Sequence, residues 1–325
     1  EDDAGYDKTA FEKMLEIKGD SDHTKLIDML TDLNDYSIGI EDVLKEHFDE
    51  ENIVYWMAFQ ILMGNVDTQN RNVYLYSPLN SDIWYFIAWD NDGCLMRPEY
   101  ELRNFSDQNS WEKGISNYWG NILFQRCLKS RSFREKLNDA ILDLREYLNK
   151  DMLTSKIESY KNVLKPYLYL MPDAEYEPLT SEQYDQIAAS LPDEIEKNYQ
   201  LYLESLETPM PFYIGVPTID GDKLKFNWDV SYDLDAEDIT YSVEVAGDYL
   251  FRDVIYQNTT LTVPEAEMDL PKAGQYFVRV RATNTSGKTQ DAFDYYVTDE
   301  GKYYGMRCFY ITEDSTVEED DYEEG

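Results

Sequence analysis

The sequence predicts a multidomain α+β protein. A mainly helical lobe with one β-hairpin covers residues 1–207, an all-β sandwich covers 208–312, and an acidic tail covers 313–325. Three observations carry this. Apolar residues recur at helical spacing through most of the first 207 residues. A single pair of alternating, β-rich runs, Val73–Tyr76 and Ile83–Trp89, interrupts them around the turn text Ser77–Asp82. After Thr208-Pro209-Met210-Pro211 the period changes to two, and turn dipeptides such as Asp220-Gly221 appear.

Taken in order, Leu26, Ile27, Met29, Leu30 and Leu33 share one helical face. Asp49 caps a helix over Glu50–Met63 that is apolar on most sides and therefore buried. After the hairpin, Leu95–Tyr118 reads as a long irregular surface segment, in the position where a functional loop would stand. Helices resume over 121–129. Ser132-x-x-Glu135 reads as a capping box opening a helix to about Asn149, with Phe133, Leu137, Ile141, Leu144 and Leu148 as its buried stripe. A helix over 151–164 is expected to stop at Pro166. Thr180-x-x-Gln183 is a second capping box. A last helix, 193–206, turns Tyr199, Tyr202, Leu203 and Leu206 inward as packing.

In the β region, Lys223–Trp228, Ile239–Val245 and Tyr276–Ala282 alternate, which argues for a sandwich. Trp228, Tyr241-Ser242-Val243 and the run Gln275–Ala282 followed by Asn284 and Gly287 resemble a fibronectin type III domain, an immunoglobulin-like sandwich, over 209–312. The resemblance implies that Tyr276 is a tyrosine corner. It also implies an extracellular or surface-displayed protein whose sandwich binds a surface protein or glycan. The tail is nearly all acidic and reads as disordered.

Composition narrows the function. A net charge of −37 repels nucleic acid and anionic membranes. No apolar run reaches the roughly 20 residues of a transmembrane helix. Cys94, Cys127 and Cys308 form neither a disulfide framework nor a zinc motif. With two histidines, His23 and His47, and no nucleophile elbow, chemistry here would rest on carboxylates and a metal.

Those carboxylates stand in Gly64–Gly93. Asp67 precedes Asn72 in D-x-x-x-x-N spacing, and the second strand of the hairpin delivers Asp90, followed by Asn91-Asp92-Gly93. Phosphoryl transfer needs one carboxylate to orient the acceptor hydroxyl. It needs a carboxylate and an amide oxygen to hold Mg²⁺ against the phosphates, because Mg²⁺ favours hard oxygen ligands. Asp67, Asn72 and Asp90 resemble the protein-kinase set in order, though the tripeptide D-F-G is absent.

Gly64-Asn65-Val66-Asp67, Asn72–Tyr76, Trp84, Trp89-Asp90-x-Asp92 and Phe48–Asn52 resemble the spore-coat protein H (CotH) kinase family, to about residue 170. The resemblance implies an atypical protein-kinase-like fold that phosphorylates Ser or Thr of secreted or coat proteins. ATP and Mg²⁺ or Mn²⁺ would be its cofactors. Asp67 would be the catalytic Asp, with Asp90, Asn72 and Asp92 as metal ligands. The expected location is extracellular, at the cell surface or on a spore coat. Neither a Gly-rich strand–turn–strand nor a strand Lys precedes Asp67. The chain therefore reads as cut within a larger protein, its nucleotide lobe missing, so a catalytic centre follows but full activity of this piece does not. The alternative is a non-catalytic surface scaffold that binds its partner through the sandwich. Ca²⁺ binding at Asp90-Asn91-Asp92-Gly93 is a third reading, although the closing Glu of a calcium loop is missing.

Overall fold

A computed structural model of the chain describes residues 22–69, 71–102, 111–299 and 301–319. Within these the fold is mixed α and β, with helices first and antiparallel sheets after.

Helices α1 (Thr24–Asn34) and α2 (Ile40–His47) lead into α3 (Glu50–Met63), the centre of the helical core. As expected, the Asp49 side chain caps α3 by accepting from the Asn52 N–H at 2.9 Å. Gly64 ends the helix at φ 60°, a left-handed conformation that glycine adopts without a Cβ penalty. Ile53, Met57, Ala58 and Leu62 of α3 are fully buried between α6 and α9, described below.

The hairpin forms as expected but is shorter, β1 (Tyr74–Tyr76) and β2 (Tyr85–Ile87). It is pinned to α3. Asn52 accepts from the Phe86 N–H at 2.7 Å and donates to its carbonyl at 3.2 Å. The Trp56 and Phe86 rings lie 4.7 Å apart. Phe86 is buried, and its truncation to Ala would cost about 3–5 kcal/mol.

The irregular segment after the hairpin contains a short helix, α4 (Arg97–Leu102), and a 3₁₀ turn, Ser116–Tyr118; residues 103–110 lie outside the described residues. Then come α5 (Ile122–Lys129), α6 (Arg131–Tyr147), α7 (Lys150–Leu168), α8 (Ser181–Ser190) and α9 (Glu194–Leu206). Two expectations are corrected here. The cap of α6 is Ser130, which accepts from the Phe133 N–H at 3.2 Å, rather than Ser132. Ser130 is the last residue with extended backbone, and only such a residue can turn its side chain onto the first N–H groups. Helix α7 runs past Pro166. In the last turn a proline removes one intrahelical bond, and the remaining residues still complete the helix. Thr180 and Gln183 do form the reciprocal capping box of α8. Tyr202 is buried, with Tyr199, Leu203 and Leu206 packed against the same core.

The β region is two facing sheets. One holds β3 (Thr218–Asp220), β4 (Lys223–Asn227) and β7 (Glu265–Asp269). The other is built on β5 (Ile239–Ala246), β6 (Val254–Leu261), β8 (Gly274–Asn284) and β12 (Met306–Ile311), with β9 (Thr289–Asp291) paired on β8. Inward-facing Leu224, Phe226, Val243, Val278, Val280 and Phe309 fill the space between them. The Tyr276 hydroxyl donates to the Lys272 carbonyl at 2.9 Å, the bond a tyrosine corner requires. Residues 313–319 are not a free tail. Strand β13 (Val317–Glu319) pairs with β12 across a turn in which Thr312 and Thr316 hydroxyls bond at 2.7 Å. The partly buried Val317 adds apolar contact that acidic composition concealed. Residues 320–325 lie outside the described residues.

Between β8 and β12 the chain makes a separate hairpin, β10 (Tyr295–Thr298) and β11 (Gly301–Tyr304), which joins neither sheet. It sits against the helical part. Phe293 packs edge-on to Trp111 at 5.3 Å, Tyr304 meets Trp111 at 6.2 Å, and Phe293 and Met210 belong to the helical core. Trp119 stacks on Tyr232 at 5.5 Å nearby. Among the described residues no helix is long and apolar enough to cross a membrane.

Candidate active site

The site grows from the C-terminal end of α3. Gln60 interrupts the apolar run of that helix and is fully buried, so its amide needs partners. It finds two. Its oxygen accepts from the Asn65 amide at 3.0 Å, and its nitrogen donates to the Asn91 side-chain oxygen at 3.1 Å. One buried glutamine thus ties the loop after α3 to the loop after β2.

Asp67 opens a 3₁₀ turn, Asp67–Gln69. Its N–H donates to the Asn65 side-chain oxygen at 3.2 Å, and its carbonyl accepts from the Arg71 N–H at 2.9 Å. The segment after α4 clamps this loop from behind. Thr68 and Tyr118 hydroxyls lie 3.0 Å apart in the core, and the Asn117 amide donates to the Val66 carbonyl at 3.4 Å. Helix α9 braces the same region. Asn198 donates to the Leu62 carbonyl at 2.8 Å and accepts from Arg97 at 2.7 Å, while Arg97 also pairs with the buried Glu194 at 3.0 Å.

Asp90 lies three residues beyond β2, at φ 48°, and opens a 3₁₀ turn over Asn91–Gly93. Left-handed backbone at a non-glycine residue costs of order 1–3 kcal/mol and is found where the surroundings enforce it. Here the enforcing contacts are the Gln60–Asn91 bond and the Leu95 N–H to Met63 carbonyl bond, 2.8 Å. The turn brings Gly93 under Asp67. A Cβ on Gly93 would lie 2.7 Å from the Asp67 carboxylate oxygen Oδ2 and 3.0 Å from Asn65 Oδ1.

Asp90 and Asp92 are neighbours in this turn, and Asp67 is near enough for its charge to act on Asp90. The Asp90 carboxyl is raised above the ordinary range, first by repulsion from Asp92, then by partial desolvation, a hydrogen bond with Asp92 and the charge of Asp67. Cys94 beside them is pushed up to about 12, chiefly by burial and then by Asp67 and Asp92, which makes it an inert thiol.

Asn72 is placed less closely. It also has left-handed backbone, φ 54°, two residues before β1. The register Tyr74↔Ile87 sets it at the same open end of the hairpin as Asp90. Among the described residues no hydrogen bond joins its amide to the carboxylates.

Among the described residues no group of three or more His, Cys, Asp and Glu side chains is arranged to hold a metal ion. The donor set nevertheless fits Mg²⁺ or Mn²⁺ of the nucleotide-bound kind, which takes one or two protein carboxylates and completes its shell with phosphate and water oxygens. Mutual repulsion at Asp90 and Asp92 is what a cation there would relieve. A calcium loop fits less well, since Asn91 turns its oxygen onto buried Gln60.

Sequence reasoning missed Gln60, and it named Asn65, Asn91 and Gly93 only as motif text, without the contacts they make. One polar residue in an otherwise apolar helix was the available signal for Gln60, because a buried amide demands partners elsewhere in the fold.

Residues 1–202 match the family described as CotH kinase protein, and the chain belongs to that family. No curated protein matches the chain. Among solved structures, surface layer protein SbsC, domains 1-6, is similar at 12% identity, over 94% of this chain and 40% of that one, with a TM-score of 0.17. The chain thus spans well under half of that protein's length, and a likeness of this size carries no argument.

Proposed function

We propose that this chain carries the hydroxyl-activating and metal-holding half of a CotH kinase that transfers the γ-phosphoryl group of ATP to a Ser or Thr hydroxyl of a protein. The observation that carries the reading is the contact of the Asp67 loop with the Asp90–Gly93 turn: a Cβ on Gly93 would touch the Asp67 carboxylate, and Asp90 is under the charge of Asp92 and, more weakly, of Asp67. Three carboxylates from two loops, held by a buried amide network, repel one another and need a cationic or phosphate-bound counterpart.

In this reading Asp67 accepts a hydrogen bond from the acceptor hydroxyl and aligns its oxygen with the γ-phosphorus. As the new O–P bond forms, the bond from that phosphorus to the β–γ bridging oxygen breaks, ADP leaves and the proton passes to Asp67. Asp90 and Asn72, with Asp92 adjoining, would hold Mg²⁺ or Mn²⁺, which neutralises phosphate charge. The Gln60–Asn65–Asn91 network keeps the two loops in register without reorganisation during reaction.

The β region fits a fibronectin type III-like module over 208–312. Its three-strand and larger sheets and the Tyr276 bond support this. Such a module suits an extracellular, cell-surface or coat-associated protein.

The test is transfer from radiolabelled ATP to a Ser-containing protein, with nucleotide binding followed by calorimetry in Mn²⁺ and Mg²⁺. Asp67→Asn should lose transfer and keep metal-dependent binding; Asp90→Ala should lose both. Transfer that survives Asp67→Asn would overturn the role of Asp67. Absence of metal-dependent nucleotide binding both by this chain and by a longer one carrying preceding residues would remove the enzyme reading.

A further inference from the structure

Helix α7 carries an apolar stripe that nothing among the described residues covers. The helix begins with this face inward, where Leu153 is buried and Ile157 packs against the helical core. Further along, the same face is bare. Tyr160, Val163, Leu164 and Tyr167 follow at i, i+3, i+4 and i+7, and Leu170 and Met171 extend the patch past the helix end. All six are more than half exposed. Another flank of α7 is already occupied, since Lys161 and Lys165 both reach Asp185 of α8, Lys165 at 2.6 Å.

The exposed area is large. Six side chains of this size and exposure present on the order of 700 Å². The largest apolar patch of a monomer is usually ~300–600 Å², and each side of a standard interface covers about 800 Å². The two ends of the stripe also differ in charge. Lys156, one turn before Tyr160 on the same face, is exposed and makes no ion pair among the described residues. Past the other end, Asp173 and Glu175 of a 3₁₀ turn are exposed and equally unpaired.

We propose that this face pairs with a second copy of the chain, the two α7 helices lying antiparallel about a two-fold axis near Leu164. A surface that is basic at one end, apolar in the middle and acidic at the other complements itself when turned end for end. Each Lys156 then meets the Asp173–Glu175 turn of its mate, and the two-fold axis makes that contact twice. Local charge permits the approach. The chain as a whole carries −37, but α7 holds Lys150, Lys156, Lys161 and Lys165 against Asp151 and Glu158. A lipid surface would cover the apolar stripe and leave Asp173 and Glu175 without partners. The pairing does not depend on the kinase reading.

Sedimentation equilibrium of the full chain tests this. The mass should rise from the 38.2 kDa monomer towards twice that value as concentration increases. Added salt should tighten the association, because it screens repulsion between two chains of −37 beyond about 8 Å at physiological ionic strength. Val163→Glu, at an exposed position, should leave a monomer whose melting temperature equals that of dilute, monomeric wild type. Lys156→Glu should weaken the dimer about tenfold, since the lost pair and the new repulsion each occur twice. Adding Asp173→Lys and Glu175→Lys to that variant should restore the dimer, a rescue that general stickiness of an apolar patch cannot produce. A chain still monomeric at about 100 μM, a dimer indifferent to Val163→Glu, or failure of the charge rescue would overturn the proposal. So would a monomer that binds phosphatidylcholine vesicles through Val163, which would assign the stripe to a lipid surface.

Discussion

Gly93→Ala isolates the contact that joins the Asp67 loop to the Asp90–Gly93 turn. The added methyl would sit 2.7 Å from Asp67 Oδ2, while ordinary contact begins at 3.4 Å, so the carboxylate must retreat by about 0.7 Å. The Asp67 main chain is held at its N–H and carbonyl, and Asn65, at 3.0 Å from the same methyl, is buried, so the carboxylate must rotate out of its present position. A displacement approaching 1 Å at a reacting group costs on the order of 100-fold in rate. The fold should tolerate the change. Gly93 is not among the left-handed glycines. Loss of unfolded-state freedom returns about 0.4–1 kcal/mol against the strain. The melting temperature should therefore move by no more than about 2–4 °C. The assay is initial-rate phosphoryl transfer at saturating ATP and Mn²⁺ beside a thermal melt, with Gly247→Ala as control, where the nearest atom is 3.6 Å away. A Gly93→Ala protein that keeps wild-type kcat would refute the reasoning, since the Asp67 carboxylate would then not be the positioned base.

Gly114→Ala should be far more harmful to stability than to chemistry. Its φ is +50° and the new methyl would stand 2.8 Å from the Tyr202 backbone, so a loss on the order of 2–4 kcal/mol is expected in urea titration. Arg97→Ala removes one of the two cations on buried Glu194 and should cost about 3 kcal/mol, measured the same way; a loss below about 0.5 kcal/mol would show that Lys197 suffices. The Asp294 side chain is 10% exposed, and burial pushes its carboxyl up to about 6, against the lowering effect of the Ile214 N–H and Arg307. The folded state thus holds this proton more tightly than the unfolded chain. Its contribution to stability is full below about pH 4 and is lost as pH rises through 6, by on the order of 2–3 kcal/mol. Asp294→Asn should flatten the stability profile between pH 4 and 7, and an unchanged slope would reject that assignment.

Much of the helical framework was legible because its signals are local. The Asp49 cap and the Thr180–Gln183 box satisfy N–H groups within three residues, so their spacing is written in the text. Ser132 misled because two serines stand two residues apart, and only backbone conformation tells which one is outside the helix. Val317–Glu319 was hidden because a strand held by pairing with β12 needs little intrinsic preference of its own.

The order of Asp67, Asn72 and Asp90, and the hairpin between them, were determined by sequence alone. The proposed transfer would require those residue types, and alternation of the intervening text dictates the turn back. What the sequence could not decide is distance. The approach of Gly93 to Asp67, the crosslink by Gln60, and the cleft that Asp67 shares with a hairpin more than 200 residues downstream all join positions remote along the chain. Such contacts exist only once α3, β2 and the sandwich have packed, because burial of the core, and not any local preference, sets which remote groups must satisfy one another.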